Sequence, residues 1–354
     1  MAFVLLAVGQ TLPSMVVASA LTGLAGALFN PAVRAYLAAE AGEERRVEAF
    51  AVFNMFYQTG ILVGPLAGLA LLAFDFTLVC FVAAAIFGAL AVLQGRALPR
   101  RAPAKGSAGS ALRSVLADWR SIAANRPFAL FALAMSGSYV LAFQVYLALP
   151  LRTRDVFGDQ AGAVTALVFS VSALAALSGQ LKLTAWAKRS LSGPRAIAGG
   201  LVLMGTAFVP LIPTPTGSLT GRAAGAVALA VCAALLAWGG ALLYPFEMDT
   251  VVRLSDDKLV ATYYGAYNTV SGLVIASGNL LVGTLFDTGV GWLPWACLAA
   301  TGLLCAGSVI GLERGGHLRA TPVPAPPDGP NTDNSGRLPA PGPGADPGAH
   351  TTWS

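Results

Sequence analysis

Apolar stretches of roughly bilayer length alternate with short polar turns through most of the chain. The pattern predicts spans near Ser14 to Leu37, Ala49 to Phe74, Phe76 to Gln94, Phe128 to Leu151, Ala161 to Leu181, Ile197 to Ile212, Ala223 to Phe246, Leu259 to Phe286 and Val290 to Leu312. Met1 to Leu12 is apolar but too short to cross, and ends at Pro13, so it is expected to be half a helix. Ala18-Ser19-Ala20 mimics a signal cleavage site, yet no basic segment precedes it and the apolar run continues past it. Glu40 to Glu48 is expected to be a charged turn, and Asp75 marks a very short one.

The stretch Gly60-Ile61-Leu62-Val63-Gly64-Pro65-Leu66-Ala67-Gly68 stands out within its span. Glycines four residues apart stack on one helix face, and Pro65 removes a backbone donor, which predicts a close helix contact with a bend. Gly and Pro are also simply commoner in membrane helices than in soluble ones. A repeat at constant offset adds weight. Gly26-Ala27-Leu28-Phe29-Asn30-Pro31 reappears as Gly240-Ala241-Leu242-Leu243-Tyr244-Pro245, Phe53-Asn54 falls on Tyr267-Asn268, and Gly64 on Gly278. Every difference is 214, since 240 − 26, 268 − 54 and 278 − 64 agree. Two parallel half-bundles related by an axis along the membrane normal follow from such a repeat, with substrate passing between them.

Composition removes other classes. With 56% hydrophobic and 11% charged residues and a mean hydropathy of +0.68, the chain is an all-α polytopic membrane protein. Cys80, Cys232, Cys297 and Cys305 lie in apolar runs without metal-type spacing, and the histidines, His317 and His350, fall near the end of the chain. Metal, cofactor and Ser-His chemistry are therefore unsupported, and no enzyme is expected. The net charge of +5 reads as a topology signal rather than as a nucleic-acid surface.

Gly95 to Arg126 carries seven basic residues against Asp118. Leu112, Val115, Leu116, Trp119 and Ile122 follow helical spacing there, as a helix lying in the membrane interface would, or a plain solvated linker helix. Alternating the loops puts nineteen of the 22 basic residues on one side and Arg152, Arg154 and Arg222 on the other. The basic side is then cytoplasmic, with nine full spans and one partial one. Residues 1–94 form a truncated N-terminal bundle, 95–127 a cytoplasmic linker, 128–312 a six-helix bundle and 313–354 a disordered cytoplasmic tail. The repeat implies that about two and a half N-terminal helices are missing, most simply through a start codon assigned too late.

These residues resemble the major facilitator superfamily, twelve helices in two six-helix bundles. Gly60, Gly64, Pro65 and Gly68 are similar to the fifth-helix antiporter motif of its drug:proton antiporter branch. Gly23 to Pro31, Asp75 to Cys80 and Leu141 to Leu147 with Leu149-Pro150 look similar to the H-type bacterial multidrug-resistance exporters. The chain departs from the family at Ser19, where an arginine is frequent, and around Gly179 to Arg189, where no acid stands.

The resemblance implies a secondary active transporter in the cell's inner membrane, exporting small hydrophobic or cationic compounds in exchange for protons. A monomer with a small-molecule substrate in the lipid bilayer is expected. Uptake or facilitated diffusion, and an inactive fragment, are the alternatives. On the helices that the family uses to line its cavity, Asn30, Tyr139, Gln144, Tyr146 and Trp238 are the candidate lining residues, each with interhelical bonding or packing as the competing role. Arg34, Lys188, Arg189 and Asp249 are candidates for a cytoplasmic gate, with Glu247 and Asp249 expected to pair with Lys188 or Arg189 near the surface.

Overall fold

The computed structural model describes residues 2–9, 11–97, 117–212 and 219–318, and the regular structure among them is helical. In chain order the helices are α1 (Ala2–Val8), α2 (Leu12–Leu72), α3 (Phe76–Ala97), α4 (Arg126–Phe143), α5 (Ala148–Phe157), α6 (Ala161–Ser190), α7 (Gly193–Thr206), α8 (Leu219–Leu254), α9 (Val260–Asp287) and α10 (Leu293–Arg314). Among the described residues, seven runs are long and apolar enough to cross a membrane: Leu12–Gly64, Phe76–Ala97, Arg126–Ser190, Gly193–Leu211, Thr220–Leu254, Val260–Asp287 and Leu293–Arg314.

Two of the seven double back. Gly42, at φ 67° and ψ 174°, divides α2 in a conformation that essentially only glycine adopts. Arg34, before the bend, lies over Tyr244 of α8; Asn54, after it, bonds Gln180, which in turn bonds the Ala241 carbonyl of α8. Both arms therefore rise from the bend to one level, where a straight helix would set these residues about 30 Å apart. The run from Arg126 to Ser190 also returns to its starting end. Asn125 bonds the Leu254 carbonyl at the end of α8, and Lys188 bonds the Glu44 carbonyl beside the bend.

Several expected boundaries shift. Glu40 to Glu48 is helical instead of a loop, with Gly42 its one non-helical residue, and residues of the second group of helices pair with Glu43, Arg46 and Glu48 there. The span expected from Phe128 to Leu151 is interrupted between Phe143 and Ala148. Gln144 Nε2 bonds back to the Val140 carbonyl at 2.7 Å, closing α4, and the restart puts Pro150 in a first turn, where its missing N–H costs nothing. Residues 117–124 form a further short helix in which Ile122 is buried in the core and Trp119 is exposed, so this stretch does not simply lie on the lipid surface. The remaining interfacial candidates, Leu112, Val115 and Leu116, lie outside the described residues. The segment assigned to a tail is ordered through Leu318: Ser192 donates to Glu313, and Leu318 is buried. Positions 319–354 lie outside the described residues.

The deepest packing is in the second group of helices, α4 to α10. Trp295, Tyr264, Tyr267, Phe131 and Phe208 are fully buried there. Small residues bring backbones together: a Cβ on Gly302 of α10 would lie 2.5 Å from Gly205 Cα of α7, and one on Gly200 of α7 would lie 2.7 Å from the Gly239 carbonyl of α8. Gly278 of α9 is covered by Val140 of α4, whose Cγ2 would lie 2.6 Å from an added Cβ. Gly60, Gly64 and Gly68 do not share this fate. A Cβ on any of them would meet nothing within 4 Å, which corrects the expected close contact: no neighbouring helix covers that face among the described residues. Backbone helix also continues through Pro65, leaving Gly42 as the break in α2.

Candidate functional site

Two polar layers join the first group, α1 to α3, to the second, and α2 supplies the first group's side of both. The outer layer sits at the bend end. Arg46, 4% exposed, reaches Asp249 Oδ1 with Nη1 at 3.5 Å and Asp257 Oδ1 with Nη2 at 2.9 Å. Arg253 bridges Asp249 Oδ2 (2.7 Å) and Glu43 Oε1 (3.0 Å). Lys188 pairs with Glu48 and donates to the Glu44 carbonyl. Asp257 and Leu259 hold φ 56° and 51° in the turn between α8 and α9, and the Arg46 bond fixes that turn at its acid.

The second layer lies deeper. Arg34 Nη1 donates to Asn268 Oδ1 at 2.9 Å, and its guanidinium carbon stands 5.8 Å from the Tyr264 ring centre and 6.0 Å from that of Tyr244. Such a cation over aromatic faces gains about 2 kcal/mol when water is excluded. Glu247, 2% exposed, accepts a hydrogen bond at Oε1 from the Tyr267 hydroxyl. The Tyr267 ring packs edge-on against Tyr139 and stacks on Phe131. The Tyr139 hydroxyl is buried and faces the same carboxylate. Asn54 Nδ2 donates to Gln180 Oε1 at 2.7 Å, so the repeat-related pair Asn54 and Asn268 each bond across the junction.

The expected gate residues are thus distributed differently. Asp249 meets Arg46 and Arg253 rather than Lys188 or Arg189; Lys188 meets Glu48. Arg34 belongs to the deeper layer, and Glu247 is interior instead of a surface partner, because Pro245 leaves α8 intact and the helix carries it inward. Of the lining candidates, Tyr139 joins this layer. Gln144 is tied to Asn279 of α9 at 3.2 Å, with its Oε1 unpartnered among the described residues. Tyr146 is exposed between Phe143 and Phe169, Trp238 is 39% exposed over Gly179, and Asn30 is exposed on the first arm of α2. Tyr57 lies near both Tyr146 and Tyr244. The sequence signal missed was spacing: Tyr244 with Glu247, and Tyr264 with Tyr267 and Asn268, fall on shared helix faces inside apolar runs.

Residues 1–279 match the Major Facilitator Superfamily. The chain belongs to that superfamily. It is 45% identical over 316 residues to an uncharacterized MFS-type transporter of Mycobacterium tuberculosis strain H37Rv, covering 88% of this chain and 74% of the relative. It is 29% identical over 294 residues to the multidrug resistance protein MdtH of Klebsiella pneumoniae, covering 80% and 68%. MdtH of Salmonella arizonae is 27% identical over 290 residues, covering 80% and 67%. As a member of the Major Facilitator Superfamily, the chain is a multi-pass membrane transporter of small molecules and not an enzyme.

Proposed function

We propose that this transporter exports small hydrophobic or cationic compounds in exchange for protons, by alternating access between its two groups of helices. The observation that carries this is the placement of the described cross-group bonds. They fall between Arg34 and Asn54 on α2, at the bend end, while Phe29, Phe56 and Tyr57 farther along both arms remain exposed, as do Tyr146 and Trp238 opposite. This placement supports a pathway shut at the bend end and open at the other. By the bias of basic residues the shut end is cytoplasmic, in the cell's inner membrane, with the linker and C-terminal segment inside. We place Asn30, Tyr139, Tyr146 and Trp238 along this pathway, few polar groups among aromatic surfaces, which suits an amphipathic or cationic substrate. The multidrug resistance relatives and the antiporter-like Gly60, Gly64, Pro65 and Gly68 support export with antiport. We take the chain to act as a monomer.

Ethidium accumulation in cells tests the proposal. Cells expressing the chain should hold less dye than control cells, and a proton uncoupler should erase the difference. Equal accumulation would overturn export; lower accumulation that survives the uncoupler would overturn proton coupling.

A further inference from the structure

Glu247 is an acid on a membrane helix with no contact ion pair among the described residues. The groups facing it are Tyr267 from α9, Tyr139 from α4, Arg34 from the first arm of α2 and Tyr244 one turn earlier on α8 itself. Asp249, two residues on, is turned to Arg46 and Arg253. Arg34 comes from the first group of helices, yet its hydrogen bond to Asn268 and its two aromatic neighbours all lie in the second. One group thus inserts a fixed cation into a pocket of the other, and Glu247 is the acid beside that pocket. A carboxyl at this depth is costly to keep ionised and is a functional candidate by default.

We propose that Glu247 is the residue that takes up and releases the coupling proton, and that Arg34 reads its charge across the junction. The inference rests on the antiport reading above. Ionised, the carboxylate attracts Arg34 and holds the two groups together at the bend end. A proton from water at the open end forms an O–H bond on Glu247; the attraction falls, and the bend end is free to part. Once that end is open the O–H bond breaks, the proton passes to water on the other side, and the restored charge draws Arg34 back. Tyr139, half-buried on α4 with its hydroxyl facing the carboxylate, is placed to relay the proton. Tyr267, donating to the carboxylate, is a positioning residue.

Infrared difference spectra of the purified full chain, between acid and alkaline buffer and without substrate, test this directly. A buried protonated-carboxyl band should titrate in the native chain and be missing in Glu247→Gln. In Tyr267→Phe the band should remain with an altered frequency and midpoint. Absence of a titrating band, or its persistence in Glu247→Gln, overturns the proposal. If Glu247→Gln does not fold, an unchanged midpoint in Tyr267→Phe overturns it instead. A second arm follows labelling of Ala51→Cys, a 1% exposed position near the bend, in a chain lacking its four native cysteines. Labelling should rise in acid in the parent and be high at both pH values in Glu247→Gln; pH-independent labelling in the parent overturns the link to Arg34. Failure of ethidium export with an intact titration would sink the export reading and leave Glu247 standing. Uncoupler-sensitive export without that titration would do the reverse.

Discussion

Gly64 and Gly278 are the same residue at repeat-related positions, and the two halves treat them differently. Gly278 is sealed by Val140, whereas Gly64 faces nothing within 4 Å. The contrast is sharpest at α7 and α8, where 61% and 56% of the apolar stretch is buried against 6% in α2 and 6% in α3; α9, which carries Gly278, is 11% buried. A glycine in a membrane helix therefore carries information only together with what covers it. The repeat in sequence does not carry over to the neighbours.

The comparison can be broken by substitution, beginning with the contacts that tie the halves together. Arg46→Ala removes the cation shared by Asp249 and Asp257, while Asp249 keeps Arg253 at 2.7 Å. It should shift the balance toward the state open at the bend end by about 1.5 to 3 kcal/mol, read as faster labelling of Ala51→Cys. Asp249→Asn should move the same readout less, since Arg46 keeps Asp257 and Arg253 keeps Glu43. Unchanged labelling in both variants would remove the outer layer from any role in gating.

Inside the second half, Gly302→Val drives a side chain into the Gly205 backbone, which has no room to yield. A loss of about 3 kcal/mol is expected, seen as a lower melting temperature in detergent. Gly278→Ala presses on Val140, a side chain that can shift, so about 1 to 2 kcal/mol is expected, and Val140→Ala in the same chain should restore part of it. In the first half Gly64→Ala should leave the melting temperature unchanged, within about 0.5 kcal/mol. Were Gly64→Ala as damaging as Gly278→Ala, the contrast between the halves would collapse. Lys188→Gln, at the half-exposed pair with Glu48, falls between these at less than about 1 kcal/mol and should vanish in high salt.

Much of this was legible in the residues, for identifiable reasons. Span positions follow from apolar length, which membrane crossing fixes, and the offset of 214 brought out Asn54 and Asn268 before their bonds were visible. The tertiary choices were not legible. Asp249 has several bases within sequence reach, and which of them it meets depends on how α2 docks at the end of α8. Glu247 read as a surface acid because Pro245 suggested a helix end, yet α8 continues to Leu254 and carries the carboxyl inward. The interruption at Gln144 was hidden for a similar reason: a polar side chain bonding back to its own helix leaves no trace in hydropathy.

The bend at Gly42 has one further consequence. It joins the arms of α2 through a single residue, so there is no slack to absorb a change in chain length. Inserting one residue would turn one arm by about 100° against the other and rotate either Arg34 or Asn54 off the seam, while adding or removing no charge. Spacing at that point acts like the phase between two meshed gears: the teeth can all be intact and still miss one another.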